Sequence, residues 1–118
     1  MGGRNRTWGA QGEQLAADYL QEHGLVVLAR NYRYDRAEVD LVCRDGEELV
    51  FVEVKSRRSA QYGDPEEAVT ELKQEQLRKA AEGYCQEFQL DDKFYRFDIV
   101  AILQRGEMLI LRHIKDAF

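Results

Sequence analysis

Cysteine and histidine are scarce in this chain of 118 residues, which has two of each. Cys43 and Cys85 show no metal-ligand spacing, and the sequence contains no CxxC motif, no histidine cluster and no glycine-rich phosphate loop. These absences argue against a zinc site and against a nucleotide-binding loop. We expect both cysteines, one in a strand and one in a helix, to be reduced core residues rather than a disulfide.

The sequence also lacks a long hydrophobic run. No segment approaches the roughly 20 apolar residues that a membrane-spanning helix requires, and residues 1–6 lack the apolar stretch of a signal peptide. We therefore expect a cytoplasmic protein with no membrane partner. With 44% hydrophobic and 33% charged residues, residues 1–118 are typical of a single globular domain with one core.

What the chain does contain is a pair of segments, EVDL and FVEVK, in which charged and apolar residues alternate. Side chains alternate across a strand, so Glu38 and Asp40 are expected on one face of the first strand. Glu53 and Lys55 share one face of the second in the same way. The opposite faces are apolar, formed by Val39, Leu41 and Cys43 in one strand and by Val50, Val52 and Val54 in the other.

The turn at the Asp-Gly dipeptide between these strands decides whether the charges converge. In a loop of four residues Arg44 lies opposite Leu49, and Asp40 then lies opposite Glu53. A two-residue turn would instead place Glu38 opposite Glu53. Both even-length connections keep the charges on one face. A three-residue loop would separate them and is not expected without a bulge.

Two facing carboxylates repel each other, and a divalent cation between them resolves the repulsion. Oxygen ligands suit Mg²⁺ or Mn²⁺, which keep open positions for water and phosphate oxygens. A lysine two residues beyond the second carboxylate could orient water or stabilise charge on a phosphate. This plan serves metal-assisted phosphodiester hydrolysis. The alternative is a lattice of cross-strand ion pairs on a solvated sheet face, with no chemistry.

Further motifs extend the pattern over most of the chain. They are Gly9, Gly12, Glu13, Ala16 and Leu20, then Asn31-Tyr32-Arg33, then Arg57, Gly63, Pro65, Ala68-Val69, Lys73, Ala80-Ala81 and Arg96-Phe97-Asp98. Together with the two charged strands they resemble the YraN-like family of small bacterial proteins. That family is grouped with the Holliday-junction-resolvase-like and restriction-endonuclease-like nucleases of the PD-(D/E)xK superfamily.

The resemblance implies a metal-dependent endonuclease acting on DNA, with branched DNA of the Holliday-junction type as one candidate substrate. Asp40 and Glu53 would bind Mg²⁺ or Mn²⁺, and Lys55 would be the catalytic lysine. Glu13 would be an accessory metal ligand and Glu38 an accessory catalytic residue. Resolvases of this fold are dimers, so a homodimer is implied as well. One departure is visible, because the family usually has glycine where this chain has alanine, at residue 37.

Periodicity predicts an α/β domain of order αβββαββ, with a central mixed five-stranded sheet flanked by helices, as the restriction-endonuclease-like resemblance also implies. The elements are helices over 7–22 and about 70–88, a turn at Pro65, and strands over 25–31, around 38–43 and 50–55, over 95–103 and over 108–113. The predicted helix faces are Trp8, Leu15, Tyr19 and Leu20, and Leu72, Leu77, Ala80, Ala81, Tyr84 and Phe88. Glu13 lies at the edge of the first face, so it could point toward the sheet or into solvent.

Loops complete the interpretation. Residues 32–37 are expected to form a loop whose Tyr32 and Tyr34 either stack on bases or, as we expect, pack against the domain. Residues 56–63 are expected to form a lid or a substrate-contacting loop. Arg96 and Asp98 are expected to pair with neighbouring charges, and His113 is expected to be structural or exposed.

The net charge of −5 argues against a protein that coats nucleic acid without specificity. Basic residues nevertheless cluster near the acidic strands, and the candidates for nucleic-acid contact are Arg33, Arg36, Arg57, Arg58 and Lys73. They are equally compatible with ordinary solubilising surface charge. A second function therefore stays open, a noncatalytic module that binds nucleic acid or another protein on the same fold.

Overall fold

The computed structural model describes the backbone of residues 4–58, 63–90 and 94–118, and the side chains of these ranges from residue 11 onward. Within them the elements are α1 (Arg4–Glu22), β1 (Val26–Tyr34), β2 (Ala37–Asp45), β3 (Glu48–Arg57), a 3₁₀ turn (Pro65–Ala68), α2 (Glu71–Glu87), β4 (Tyr95–Arg105) and β5 (Met108–Ile114). This is the predicted order. The centre of the predicted substrate-contacting loop, residues 59–62, and the side chain of Trp8 lie outside the described residues.

The five strands form one mixed sheet in the order β1-β2-β3-β4-β5. The pairs β1-β2, β2-β3 and β4-β5 are antiparallel, whereas β3 and β4 are parallel. Parallel neighbours need a crossover connection, which here contains α2. The strand that carries Glu53 and Lys55 is therefore the central one, as its run of valines predicts.

The hairpin of β2 and β3 has the first of the two predicted registers, because Arg44 lies opposite Leu49. The last pair before the turn is Asp45 and Glu48, so the connection is only two residues long. It begins at Gly46, whose φ of +63° suits glycine. The register is thus the one predicted for a four-residue loop, while each strand continues one residue further than that loop would allow.

The two helices cover opposite faces of the sheet, and the sheet divides the predicted single core into two hydrophobic clusters. The cluster under α1 consists of Ala16, Ala17, Leu20, Leu25, Leu41, Cys43, Val50, Val52, Val100 and Ile102. The cluster under α2 consists of Ala37, Val39, Val42, Leu49, Phe51, Val69, Leu77, Ala80, Ala81, Tyr84, Cys85, Phe97 and Ile99. Both cysteines are buried and neither forms a disulfide, as predicted.

Strand β2 is irregular at Asp40. Val39 packs in the cluster under α2 and Leu41 in the cluster under α1, although residues two apart in a regular strand share a face. The prediction that these two residues line one face is therefore wrong. On the neighbouring strand β1, Asn31 lies between their partners and has a φ of +52°. Because facing changes at Asp40, regular alternation does not decide where its carboxylate points.

The buried faces of the helices differ from the predicted faces at three positions. Leu15 is 37% exposed, Leu72 67% and Phe88 51%. Leu72 lies in the first turn of α2 and Phe88 follows its last residue, so neither position is covered by the sheet. Neither α1 nor α2, as far as the chain is described, is long and apolar enough to cross a membrane.

Strand β1 runs on to Tyr34 through most of the predicted loop, and the two tyrosines there pack against α2. The Tyr32 ring meets the Tyr84 ring edge-on at a centroid distance of 5.1 Å. Its hydroxyl donates a hydrogen bond of 2.9 Å to Glu87. The Tyr34 ring lies directly against Gly83. Packing, rather than base stacking, is the role that these contacts support, as expected.

Candidate functional site

Asp40 and Glu53 come together where the pairing of β2 and β3 ends. The last hydrogen-bonded pair in this direction is Leu41 and Val52, and Asp40 and Glu53 are the next residues along each strand. The Asp40 carboxylate accepts a hydrogen bond of 2.8 Å from the backbone N–H of Val54. This bond holds the carboxylate of Asp40 across the end of the ladder, beside Glu53.

Glu53 is a buried carboxylate in an unfavourable environment. Its side chain is 4% exposed. Burial, and after it the adjacent Asp40, raises the pKa of Glu53 to about 8, while Lys73 and Lys55 act in the opposite direction. Its Oε2 atom is the only buried side-chain nitrogen or oxygen in the described residues without a hydrogen bond. The charged form of Glu53 therefore lacks the hydrogen bond to Oε2 that burial normally demands.

Two lysines approach Glu53 from different elements. Lys55 follows it by two residues on β3 and is half-buried. Lys73, from the first turn of α2, places its ammonium nitrogen 3.4 Å from Oε2 of Glu53. The predicted catalytic lysine, Lys55, is thus on the expected strand, and another lysine, Lys73, contacts Glu53.

Glu13 and Glu38 lie on the other side of Asp40, joined by Asn31. The side-chain amide of Asn31, in the orientation that satisfies it, donates to Glu13 at 2.9 Å and to Glu38 at 3.1 Å. Partial burial, followed by Asp40 and Glu38, raises the pKa of Glu13. Of the two orientations left open by the sequence, Glu13 therefore adopts the one toward the sheet. We call Glu13, Glu38, Asp40 and Glu53 the carboxylate cluster.

A cation would fit the centre of this cluster in chemical terms. Asp40 and Glu53 supply the oxygen ligands that Mg²⁺ prefers, and Mg²⁺ is commonly held by one or two carboxylates with water and phosphate completing its shell. Within the described residues no group of three or more histidine, cysteine, aspartate or glutamate side chains is placed to hold a metal ion unaided. Asp40 and Glu53 are therefore the residues that could hold a cation, and the metal itself stays a prediction.

The predicted nucleic-acid contacts are distributed unevenly around the cluster. Arg33 forms an exposed ion pair of 3.1 Å with Glu38. Arg36 is exposed in the turn between β1 and β2, Arg57 is half-buried at the end of β3, and Arg58 is exposed just after it. Arg33 and Lys73 contact cluster carboxylates, and for Arg36, Arg57 and Arg58 a role at the site stays a prediction.

A second polar group, centred on the fully buried Asp98, is separate from the cluster. Asp98 accepts hydrogen bonds from Arg96 at 3.0 Å, from His113 at 2.7 Å and from the backbone N–H of Asp116 at 3.0 Å. Burial alone would raise the pKa of Asp98, but these donors outweigh it and lower the pKa. The expectations that Arg96 and Asp98 pair with charges and that His113 is structural are confirmed.

Comparison with known proteins identifies the family. A family model described as "Uncharacterised protein family UPF0102" matches residues 12–102. The chain is 44% identical over 114 residues to a UPF0102 protein of Geobacter metallireducens, covering 97% of this chain and 93% of that protein. It is 46% identical over 115 residues to one of Syntrophus aciditrophicus (98% and 91% covered) and 45% identical over 115 residues to one of Rhodococcus opacus (97% and 98% covered).

The chain belongs to the UPF0102 family. This confirms the YraN-like resemblance drawn from the motifs. The part that matches the UPF0102 model includes the whole carboxylate cluster together with Lys55 and Lys73. It ends before His113, so the partner of Asp98 on β5 lies outside it.

Ala37, at the position where the resemblance implied glycine, is accommodated without backbone strain. It is not among the described residues with positive φ, and it is 6% exposed within the cluster under α2. Its methyl group is therefore a packing group in the core. The departure from glycine does not distort the backbone that leads to Glu38 and Asp40.

Asn31 is the site residue of this UPF0102 protein that reasoning from the sequence missed. It was noted only as part of a family motif, with no role of its own. A signal was nevertheless present, because asparagine is depleted in regular strands and enriched at positive φ. An asparagine within an otherwise strand-like segment marks a backbone irregularity, and this one turns its amide toward two carboxylates.

Proposed function

We propose that this chain is a metal-dependent nuclease that hydrolyses DNA phosphodiester bonds. The observation that carries the proposal is Glu53, a buried carboxylate on the central strand whose Oε2 has no hydrogen bond and whose neighbour is a second carboxylate, Asp40. A bound divalent cation would supply the missing partner for both carboxylates. The metal would be Mg²⁺ or Mn²⁺.

A purely structural role explains Glu53 poorly. The fold contains a fully buried carboxylate that is structural, Asp98, and it is surrounded by three hydrogen-bond donors that lower its pKa. Glu53 has the reverse environment, with a raised pKa and a neighbouring acid. Strongly perturbed carboxylates of this kind are characteristic of functional sites.

The chain's own residues would divide the chemistry between them. A bound cation polarises a phosphate oxygen and lowers the pKa of a coordinated water. Asp40 and Glu53 would hold that cation at the end of the β2–β3 ladder. Lys55 would orient the attacking water or stabilise negative charge on the phosphate. Glu13 would be an accessory ligand from α1 and Glu38 an accessory acid, both positioned by the Asn31 amide.

The substrate would reach the cluster along its basic neighbours. We propose that five basic residues contact phosphates of the DNA: Arg33, Arg36, Arg57, Arg58 and Lys73. Because phosphate contacts carry no information about the bases, we expect little preference for particular DNA sequences. Branched DNA of the Holliday-junction type is one candidate substrate, and cutting two strands of a junction would call for a homodimer. We place this activity in the cytoplasm.

The proposal is tested by metal-dependent cleavage of labelled four-way junctions, duplex and single-stranded DNA. Asp40→Asn keeps an oxygen that can accept from the Val54 N–H but removes the negative charge. Glu53→Gln likewise keeps the size of the side chain and removes its charge. Both variants and Lys55→Met should lose cleavage by at least about 100-fold, a typical effect of removing such a group. Chelation of the metal should abolish cleavage by the wild type.

Glu47→Gln, which removes an exposed carboxylate in the β2–β3 turn, is the matched control and should cleave normally. Circular dichroism would show that all four variants are folded. Full cleavage by Asp40→Asn and Lys55→Met would contradict the assignment of the site. Binding of DNA without cleavage by the wild type would favour the noncatalytic module instead.

A further inference from the structure

Lys73 occupies the position beside Glu53 that a cation would take. Its ammonium nitrogen lies 3.4 Å from Oε2, and the two side chains are 29% and 4% exposed. No hydrogen bond to that oxygen is found within the described residues, and the Lys73 ammonium is the cation in contact with it. A positive charge from α2 thus lies against the buried carboxyl group in the ligand-free chain and favours its ionised form.

The position of Lys73 in α2 indicates that its role is to contact Glu53, because a lysine at this position does not stabilise the helix. Thr70 caps α2, and its hydroxyl accepts from the backbone N–H of Lys73 at 3.3 Å. That contact makes Lys73 the third residue of the helix, the position where a capping box has glutamate or glutamine. A cation in the first turn also opposes the helix dipole. The helix itself would be better served by an acidic residue.

A lysine and a divalent cation cannot both sit against Oε2 of Glu53 without strong repulsion. The lysine side chain can move away from Glu53, because it is partly exposed and its four-carbon stem is flexible. Glu53 cannot move in the same way, since it is buried on the central strand. Arrival of a metal would therefore displace the lysine and leave the carboxylate in place.

We propose that Lys73 is a displaceable internal counterion: it pairs with Glu53 in the metal-free chain, yields that place to a divalent cation, and then contacts a phosphate of the bound nucleic acid. This inference rests on the proposed function, since it takes Glu53 as a metal ligand. It assigns Lys73 two opposite effects, against metal binding and in favour of nucleic-acid binding. A lysine that serves only to neutralise Glu53 would oppose metal binding but would not favour nucleic-acid binding.

The test is calorimetric titration of Mn²⁺ into the wild type, Lys73→Met and Lys79→Met. Methionine keeps most of the aliphatic stem, and Lys79 is an exposed lysine on the same helix. Lys73→Met should bind Mn²⁺ about tenfold more tightly than the wild type, because one competing positive charge has been removed. Lys79→Met should match the wild type. An unchanged or weaker Mn²⁺ affinity in Lys73→Met overturns the proposal.

A second measurement uses DNA binding in Ca²⁺, chosen to occupy the site without supporting turnover. Lys73→Met should bind a labelled four-way junction about tenfold more weakly than Lys79→Met, and its affinity should depend less steeply on salt. Equal affinities of the two variants would overturn the second half of the proposal. Saturating Mn²⁺ should also raise the melting temperature of Lys73→Met more than that of the wild type.

The outcomes separate this inference from the proposed nuclease activity. Tighter Mn²⁺ binding by Lys73→Met with no cleavage by the wild type supports the counterion and contradicts the nuclease. Cleavage by the wild type without any gain in Mn²⁺ affinity supports the nuclease and contradicts the counterion. Absence of Mn²⁺ binding in every variant contradicts the counterion, while cleavage assays decide the nuclease independently.

Discussion

Glu53 makes the stability of the metal-free protein depend on pH in an unusual direction. Its pKa is about 8 in the folded chain, against an ordinary value of 4.5. Between these two values the unfolded chain has released the proton that the folded chain retains. The folded state binds more protons in this window, so Glu53 makes unfolding progressively easier as the pH rises from 4.5 to about 8.

Glu53→Gln should remove this dependence, because glutamine resembles the protonated side chain at every pH. The variant and the wild type should have similar free energies of unfolding near pH 4.5. Above it, the variant should become the more stable protein, by at most about 1.4 kcal/mol for each pH unit. Urea denaturation with a chelator at pH 5, 6.5 and 8 measures the difference. Parallel curves for the two proteins at all three values would contradict the raised pKa.

The same residues show how far the sequence can predict a site. The position of Asp40 beside Glu53 followed from the register of the hairpin, a local property of the sequence. The direction of the Asp40 carboxylate did not follow from the period of a strand, because the facing of β2 changes there. The reach of Lys73 to Glu53 did not follow, because it depends on the path of the crossover that brings α2 back to the sheet. The role of Asn31 did not follow either, because it depends on a backbone irregularity shared by two strands.

At the scale of elements, the β1–β2 hairpin packs against α2 through a close contact between Tyr34 and Gly83. A Cβ atom added to Gly83 would lie between 2.2 and 2.5 Å from atoms of the Tyr34 ring. An aromatic ring cannot yield at such distances without moving as a whole, so glycine is needed for the approach. The hairpin tip carries Arg33 and Arg36, and this contact therefore helps to position two of the proposed phosphate contacts.

Gly83→Ala should destabilise the protein by about 1–3 kcal/mol through this overlap, although alanine is the better helix former by about 1 kcal/mol. In a Tyr34→Ala background the overlap is gone, and the same substitution should become stabilising by up to about 1 kcal/mol. Urea denaturation of the four proteins completes the double-mutant cycle. An equal effect of Gly83→Ala in both backgrounds would exclude the contact.

The order of elements and their types were predictable because each has a local signal. Thr70 as the cap of α2, Pro65 in the turn before it and Gly24 after α1 all act within a few residues. The ends of the strands were less predictable. β1 continues to Tyr34 because its tyrosines gain packing against α2, a contact between distant parts of the chain that no local pattern records.

At the scale of the molecule, the sheet separates two buried carboxylates, Asp98 and Glu53. Arg96, which pairs with Asp98 on β4, also contacts Glu48 on β3 and Asp45 on β2. Its Nη1 atom lies 2.7 Å from the Glu48 carboxylate and 3.1 Å from the Asp45 carboxylate. These contacts gather at the β2–β3 turn. Asp98 itself is paired with Val52, the residue before Glu53, so the two buried carboxylates lie on neighbouring strands. Phe97 and Ile99, on either side of Asp98, pack under α2, whereas Val52 packs under α1. Because side chains alternate along a strand, Asp98 faces α1 and Glu53 faces α2. The sheet thus separates a satisfied carboxylate on one face from an unsatisfied one on the other.

This division predicts opposite results for two conservative substitutions. Asp98→Asn should lower the free energy of unfolding at pH 7 by about 3–5 kcal/mol, because an amide cannot accept from all three donors and its own N–H groups face them. The lowered pKa of Asp98 means that its stabilisation is present above the ordinary value of 3.8 and is lost as the pH falls through the folded value. The difference in the free energy of unfolding between the wild type and Asp98→Asn should therefore become smaller at acidic pH.

Arg112→Gln is the control for Asp98→Asn, since it removes a surface ion pair of 2.9 Å with Glu66 and should cost less than about 1 kcal/mol. Glu53→Gln, by contrast, should gain stability at pH 7 and lose Mn²⁺ binding. If Asp98→Asn folded as stably as the wild type, the ion network around Asp98 would not be what stabilises the sheet. The fold can carry an unfavourable carboxylate, Glu53, on one face of the sheet because the satisfied Asp98 network on the other face offsets its cost, and these variants measure the two contributions separately.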